Sequence, residues 1–238
     1  MGFFSRLEAR ARQAGSLLCV GLDPHGKELP EQTAAAARDF CLRLIEATAD
    51  TAAAFKPNAA FFERFGAPGW QALQQVIAAV PDGIPVILDA KRGDIASTAQ
   101  AYAEAAFQAL GADCLTASPY LGRDSLEPLL ADPDRGVFAL CKTSNPGAGD
   151  VQDLPLAGLQ GGAAAAATVY EAVAALAVTW NRHDNLGLVA GATHPVQLAR
   201  IRQIAPQLWI LAPGVGAQGG DLEAALRAGL RADGLGLL

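Results

Sequence analysis

The stretch PVILDAKRGD, residues 85–94, joins a continuous apolar run to a cluster of opposite charges. Four apolar residues in succession are typical of a strand that is buried on both faces of a parallel sheet. Asp89, Lys91 and Asp94 follow within six residues, so the predicted strand ends in side chains that can carry chemistry. In α/β barrels the functional residues gather at this end of the strands. The stretch therefore indicates both a parallel α/β fold and the position of its site.

The same unit recurs along the chain, with apolar runs alternating with amphipathic, alanine-rich segments. The predicted strands cover residues 16–23, 53–58, 85–91, 113–119, 137–144, 186–193 and 209–216, with an eighth from Asp233 to the chain end. The predicted helices cover residues 33–49, 70–80, 95–110, 168–180, 195–204 and 221–228, with a short one between 124 and 130. Eight units without a linker-like change of composition predict one domain, residues 1–238, folded as a single (β/α)8 TIM barrel. A doubly wound sheet is the alternative, but no G-x-G-x-x-G motif follows the first strand.

Composition and charge argue against several classes of protein. Hydrophobic residues make up 51% of the chain and charged residues 18%, which suits a large buried core. A net charge of −6 gives no basic footprint, so we expect no nucleic-acid partner. No apolar run is long enough to span a bilayer and the first residues lack a signal-peptide core, so we expect a cytoplasmic protein without a membrane partner. The four cysteines form no C-x-x-C pair and the three histidines show no ligand spacing, which predicts free thiols and no metal site.

Polar side chains end the predicted strands, and two pairs of them share a spacing. Asp89 and Lys91 are two residues apart, so on a strand they point to the same side. Lys56 and Asn58 repeat this spacing on the preceding strand. Because an unpaired ammonium is costly to bury, Lys56 within AAAFKPNAAFF requires a carboxylate partner such as Asp89. The pattern predicts either a structural salt bridge at the barrel mouth or an alternating array of lysines and aspartates that aims Lys91 at a substrate.

Lys91 is predicted to be a general acid. Nearby carboxylates favour the charged form of a lysine, whereas a lysine that forms an imine requires the opposite environment. Asp94 has two interpretations of equal weight, as part of the site or as the N-cap of a helix that begins at Ile95. Ser97 and Thr98 then fall in the first turn of that helix, where hydroxyls and free amides can meet ligands.

The segment APGVGAQGGD, residues 212–221, follows the seventh predicted strand. Glycines let backbone amides approach an anion, and the following helix presents its positive end. Loops after strands seven and eight of such barrels often bind phosphate. The segment therefore predicts a phosphate site, in which Gln218 is the one side chain that can hydrogen-bond without bringing charge.

Taken together, these motifs resemble the orotidine 5'-phosphate decarboxylase family, and DAKRGD with its following helix is similar to the longer bacterial subgroup, type 2. The matching pieces occur in the family's order over almost the whole chain: GLDP (21–24), FKPN (55–58), DAKRGD (89–94), KTSNPG (142–147), LVAGAT (188–193) and PGVGAQGGD (213–221). The resemblance implies a carboxy-lyase that converts orotidine 5'-phosphate to UMP in de novo pyrimidine biosynthesis. It implies no cofactor and no metal.

The resemblance also implies roles for single residues in a homodimer with shared active sites. Lys91 protonates C6 of the pyrimidine and Asp89 lies beside the substrate carboxylate. Asp94 and Thr98 serve the partner subunit's site. The implied substrate contacts are Asp23 and Lys56 to the ribose, Ser144 to the pyrimidine and Gln218 towards the phosphate.

One departure from the family concerns the phosphate. The family has a phosphate-binding arginine just after strand eight, and this chain stops at Leu238, inside that predicted strand. We therefore expect a form truncated within strand eight. Two alternatives stay open: a magnesium-dependent sugar-phosphate decarboxylase of the same superfamily, such as a 3-keto-gulonate 6-phosphate decarboxylase, or an inactive phosphate-ligand binding protein. The KTSNPG loop and Lys56 favour the nucleotide substrate.

Overall fold

Parallel strands that follow one another in chain order form the centre of the molecule. The computed structural model describes residues 1–157, 167–215 and 219–238. Its strands are β1 (Cys19–Leu22), β2 (Ala54–Pro57), β3 (Ile87–Arg92), β4 (Cys114–Ala117), β5 (Gly136–Lys142), β6 (Leu186–Ala190) and β7 (Ile210–Leu211). Strands β1 and β2 pair, and β3 to β7 form a second parallel sheet in sequential order. Parallel bridges from Phe55 to Val86 and from Asn58 to Asp89 join the two sheets. Parallel strands in sequential order are what a (β/α)8 barrel requires, and the predicted fold is confirmed.

The predicted eighth strand is represented among the described residues by a single isolated bridge. A parallel bridge joins Leu237 to Ile210 of β7, but the residues from Asp233 onwards first form a turn. The carboxylate of Asp233 accepts hydrogen bonds from Leu235 N at 3.1 Å and from Arg231. Gly234 and Gly236 both have a positive φ, a conformation that does not continue a strand.

Helices surround the strands, and neighbours in the ring pack in chain order, with α2 against α4, α8 against α9 and α9 against α10. Thr33 caps the first turn of α2 and Asp221 that of α10, each through a side-chain oxygen that accepts a backbone amide. The helices within the described residues are α1 (Phe3–Ala14), α2 (Ala34–Thr48), α3 (Ala60–Glu63), α4 (Ala67–Ala78), α5 (Ala96–Ala103), α6 (Glu127–Leu130), α7 (Gly149–Gln152), α8 (Val169–Trp180), α9 (Pro195–Ile204) and α10 (Leu222–Gly229). The predicted helix from residue 95 to 110 is α-helical only over α5 and continues as a π-helical segment, Glu104–Ala109.

Helix α1 was not predicted from the sequence, and it covers one end of the barrel. Phe3, Phe4, Leu7 and Ala11 are buried, and they pack against the first residues of several strands in a core cluster of their own. A Cβ at Gly136, the first residue of β5, would overlap the ring of Phe3. Helix α1 therefore covers the amino end of the barrel with apolar packing, and the polar site lies at the carboxyl end. No helix among the described residues has the length and apolar content to cross a membrane.

Candidate active site

Two lysines and two aspartates meet at the carboxyl ends of β1, β2 and β3. Lys56 Nζ lies 3.9 Å from Asp23 Oδ2 and 3.5 Å from Asp89 Oδ2. Lys91 Nζ lies 2.7 Å from Asp89 Oδ1. The four side chains form a continuous series of contacts in the order Asp23, Lys56, Asp89 and Lys91, which we call the ion array. The predicted pairing of Lys56 with Asp89 is therefore present in the structure.

The ion array runs from a buried interior to an accessible end. The side chains of Asp89 and Lys56 are 12% and 14% exposed, whereas that of Lys91 is 49% exposed. Asp89 is thus enclosed and held from several sides, while the ammonium of Lys91 reaches the open cavity. This is the arrangement needed to present a proton donor to a ligand.

Burial and neighbouring charges shift the pKa values within the ion array. Burial raises the pKa of Asp89, but Lys56, Lys91 and a hydrogen bond from Thr116 outweigh it, so the net pKa lies below the usual value. Burial lowers the pKa of Lys56, but the carboxylates of Asp23 and Asp89 outweigh it and the net pKa is raised. For Asp23, burial dominates over the attraction of Lys56, and its pKa is raised. Asp89 and Lys56 therefore form an ionised pair at neutral pH.

The backbone at the end of β3 is unusual where it carries Asp89 and Lys91. Lys91 has a φ of 49°, which is uncommon for a residue with a side chain. The amides of Ala90 and Lys91 donate to Thr116 Oγ1 of β4, at 3.1 and 3.0 Å. The Thr116 hydroxyl in turn donates to Asp89 Oδ1 at 2.7 Å. Thr116 is not among the predicted site residues, although it is the one polar residue of the β4 segment CLTA.

The loop after β5 carries Ser144 and is fastened by an ion pair between a buried lysine and an exposed aspartate. The side chain of Lys142 is 2% exposed, and its Nζ lies 2.7 and 2.8 Å from the two carboxylate oxygens of Asp153. Gln152 Oε1 accepts a hydrogen bond from Thr143 N at 2.9 Å. A Cβ at Gly191 of the neighbouring loop would lie 2.9 Å from Ser144 Cα, so only glycine allows this close approach. Lys142 is a second residue of this region that is not among the predicted site residues.

The structure does not bring Asp94 or Thr98 to the ion array of its own barrel. Asp94 is half-buried and Thr98 is exposed, and within the described residues neither forms a salt bridge or hydrogen bond with Lys91. The N-cap interpretation of Asp94 is wrong, because the N-cap position of α5 is Ile95 and has no side-chain hydrogen bond. Ile95 separates Asp94 from α5, whose first residue, Ala96, has a φ of 44°. Asp94 Oδ1 instead accepts from the adjacent amide of Ile95 at 2.8 Å.

An open cavity of about 1600 Å³ extends from the end of α1 along β1 to the ion array. Its lining includes all four array residues, together with Ser144 after β5 and Pro213 after β7. Gln218 lies outside the described residues, so its predicted contact towards a phosphate stays a prediction. Within the residues that are described, no cluster of three or more His, Cys, Asp or Glu side chains could hold a metal ion.

Comparison with known proteins identifies the relatives of this chain. The orotidine 5'-phosphate decarboxylase / HUMPS family matches residues 16–235. An orotidine 5'-phosphate decarboxylase from Roseiflexus castenholzii is 53% identical over 237 residues, which cover 98% of this chain and 84% of that protein. A second, from Herpetosiphon aurantiacus, is 51% identical over 229 residues, which cover 95% of this chain and 84% of that protein.

Solved structures show the same relationship. The structure of Leishmania donovani OMP decarboxylase is similar with a TM-score of 0.88 and 55% identity, covering 100% of this chain and 88% of that one. The structure of Leishmania donovani UMP synthase is similar with a TM-score of 0.91 and 58% identity, and here the match covers 100% of this chain but 50% of the other. Fold, motif order and sequence identity agree, and this chain belongs to the orotidine 5'-phosphate decarboxylase / HUMPS family.

Proposed function

We propose that this chain decarboxylates orotidine 5'-phosphate to UMP, with Lys91 as the general acid. The observation that carries the proposal is the ion array, in which the buried Asp89 holds the ammonium of Lys91 at 2.7 Å and that ammonium faces the cavity. Two relatives that are 53% and 51% identical to this chain bear the same activity in their names. The reaction belongs to de novo pyrimidine biosynthesis, and we place it in the reducing cytoplasm, where free cysteines persist as thiols.

The chemistry follows from the position of one cation. The bond between C6 and the carboxyl carbon breaks, carbon dioxide leaves, and the electron pair stays on C6. A fixed ammonium in an enclosed site stabilises this developing charge far better than water does, because its orientation needs no further reorganisation. Lys91 then transfers a proton to C6 to give UMP, and the neutral amine takes a proton from solvent. Asp89 keeps the ammonium aimed and lies beside the departing carboxylate.

The remaining predicted residues have binding roles in this proposal. Asp23 and Lys56 contact the ribose hydroxyls, Ser144 contacts the pyrimidine, and Gln218 reaches towards the phosphate. The phosphate lies far from the reacting carbon, so its binding energy serves to position the substrate. The lining of the cavity by Asp23, Lys56 and Ser144 supports these assignments.

We further propose a homodimer in which Asp94 and Thr98 complete the active site of the partner subunit. Both lie outside the ion array of their own barrel, on a surface that carries exposed apolar side chains. Ile95 is 56% and Tyr120 is 85% exposed. The loops that carry them adjoin, since a Cβ at Gly93 would lie 3.1 Å from Ser118. An apolar patch beside two polar residues is a surface suited to a second copy of the chain.

A spectrophotometric assay tests the proposed activity. Orotidine 5'-phosphate is added to the purified protein, and the loss of its ultraviolet absorbance is followed with and without EDTA. We expect turnover that is insensitive to EDTA. Turnover lost with EDTA would indicate the magnesium-dependent sugar-phosphate relative, and binding of UMP without turnover would indicate a phosphate-ligand binding protein.

A further inference from the structure

Strand β3 contains a bulge at the point where it carries the ion array. Leu88 pairs with Leu115 of β4, and the next pair along the ladder is Arg92 with Ala117. Residues 89, 90 and 91 of β3 therefore lie opposite Thr116 alone. Extra residues of this kind bend a strand and re-aim its side chains, and they are common at barrel rims beside active sites.

The hydroxyl of Thr116 replaces the backbone partners that the bulge removes. It accepts hydrogen bonds from Ala90 N and Lys91 N and donates one to Asp89 Oδ1. A hydroxyl has one donor and two acceptor positions, and all three are used here. Thr116 is 1% exposed, and leaving buried amides without partners is unfavourable.

We propose that Thr116 is a positioning residue for the decarboxylation, which fixes the bulge and thereby the directions of Asp89 and Lys91. The inference rests on the proposed function, since it assumes that Lys91 is the acid. Thr116 acts through its hydroxyl and not through its methyl group. It holds the amide of Lys91 while that residue has a φ of 49°, and it fixes the carboxylate that orients the Lys91 ammonium.

The carboxylate of Asp89 is held on both oxygens. Its Oδ1 accepts from Thr116 and Lys91, both at 2.7 Å. Its Oδ2 faces Lys56 Nζ and Asn58 Nδ2, both at 3.5 Å. The charged groups that face Asp89 are therefore Lys56 and Lys91, with Asp23 beyond Lys56. Lys56 and Lys91 both belong to the ion array. Thr116 is the neutral group outside the array that binds Oδ1 and connects it to strand β4.

Two substitutions separate the hydroxyl from the methyl group. Thr116→Val keeps the shape and removes the hydroxyl, and we expect kcat to fall roughly 100-fold, as small misplacements of a catalytic group do. The dissociation constant for UMP should stay near the wild-type value, because Lys56, Asp23 and Ser144 are untouched. Thr116→Ser keeps the hydroxyl and should retain most of the wild-type kcat.

Thr33→Val is the matched structural control. Thr33 Oγ1 also accepts a backbone amide, from Ala36 at 3.2 Å, but it lies at the start of α2 on the exposed surface. Losing this cap should lower the midpoint of thermal unfolding without changing kcat. The comparison separates a loss of stability from a loss of positioning.

The pH profile supplies a readout that a purely structural role would not change. The hydrogen bond from Thr116 is among the groups that lower the pKa of Asp89. Removing it raises that pKa, so the decline of kcat/KM on the acid side should begin at a higher pH in Thr116→Val. In Thr116→Ser the decline should return to the wild-type position.

The outcomes distinguish this inference from the proposed function. Wild-type kcat in Thr116→Val, an equal loss in Thr116→Ser, or an unshifted acid limb would each overturn the role of the hydroxyl. If Thr116→Val does not fold, Thr116→Ala is used instead, and its kcat and acid limb are compared with those of Thr116→Ser under the same criteria. Lys91→Ala is assayed in parallel. Turnover by Lys91→Ala at a rate close to that of the wild type contradicts the proposed role of Lys91, whereas a large loss in Lys91→Ala beside fully active Thr116→Val contradicts only the positioning role of Thr116.

Discussion

The ammonium of Lys91 lies 2.7 Å from Oδ1 of Asp89, the carboxylate two residues earlier on β3. The other oxygen of Asp89 faces Lys56 at 3.5 Å, so one buried acid orients both lysines. With Asp23, two ammonium groups balance two carboxylates, and the ion array presents no net positive charge to a substrate carboxylate. In the proposed reaction, binding therefore depends on the ribose and phosphate, and Lys91 interacts most strongly with the charge that forms at C6.

Mixing two inactive variants tests the shared active site. Asp94→Ala and Lys91→Ala damage different residues, and in a dimer with shared sites they come from different subunits. A hybrid dimer then contains one intact site, so an equal mixture should recover up to about a quarter of the wild-type activity. Activity is measured after the two variants are unfolded and refolded together. No recovery, with hybrid dimers demonstrated, would contradict the assignment of Asp94 to the partner subunit.

The ion pair between the buried Lys142 and Asp153, after β5, should make a large contribution to stability. Asp153→Ala leaves the ammonium of Lys142, which is 2% exposed, without its carboxylate. We expect the free energy of unfolding to fall by about 2–3 kcal/mol, less than for a fully enclosed pair because Asp153 is 43% exposed. Denaturant unfolding measures the change.

A surface pair provides the control for that measurement. Glu223 and Arg227 on α10 are 82% and 71% exposed, and Glu223→Ala should change the free energy of unfolding by less than about 0.5 kcal/mol. Equal effects of the two substitutions would contradict a structural role for the Lys142–Asp153 pair.

Gly191 should control the position of Ser144. Because a Cβ at this glycine would lie 2.9 Å from both Cα and Cβ of Ser144, Gly191→Ala must displace the loop after β5. We expect a raised KM for orotidine 5'-phosphate and a smaller effect on kcat, since Ser144 is proposed to contact the pyrimidine and not the reacting bond. Gly2→Ala, where the nearest atom would be Pro133 O at 3.4 Å, is the control and should leave KM unchanged. An unchanged KM in Gly191→Ala would argue against the proposed contact.

The buried carboxylate of Asp23 should lower the stability of the fold while it contributes to ligand binding. Burial raises the pKa of Asp23 above 3.8, so the folded state favours its protonated form. The resulting stabilisation is present below the unfolded pKa and is lost as the pH rises through the folded pKa. At neutral pH, Asp23→Asn removes the cost of the buried charge, and we expect a higher midpoint of thermal unfolding together with weaker UMP binding. If Asp23→Asn has a lower midpoint of thermal unfolding than the wild type at both pH 7 and pH 3, this assignment is contradicted.

Local patterns predicted part of the ion array. The cost of burying Lys56 was enough to predict its carboxylate partner. Asp89 and Lys91 do meet, but they do so across a bulge in β3 and not through the regular strand alternation on which the prediction relied. Thr116 was missed because its importance comes from the register shift between β3 and β4, which no spacing along one strand reveals. The N-cap interpretation of Asp94 failed because α5 begins one residue later than predicted, at Ala96, so that Ile95 occupies the N-cap position.

Helix α1 was missed for a different reason. Its apolar residues, Phe3, Phe4, Leu7 and Ala11, have helical spacing, but the segment precedes the first strand and belongs to no β/α unit. Its function in the fold, covering the amino end of the barrel, depends on contacts with residues such as Phe138 and Trp209 that are distant in the sequence. Periodicity therefore predicted the repeated units of the barrel but not the element that covers its amino end.

The central claim is that Lys91 donates the proton, and the direct test is the rate at which orotidine 5'-phosphate loses its ultraviolet absorbance with Lys91→Ala. General acids contribute about 10²- to 10⁴-fold, and removal of the ammonium also removes its stabilisation of the carbanion. We predict that Lys91→Ala loses at least roughly 100-fold in kcat while its circular dichroism spectrum stays that of the wild type. Turnover by a folded Lys91→Ala variant at a rate close to that of the wild type would contradict the account.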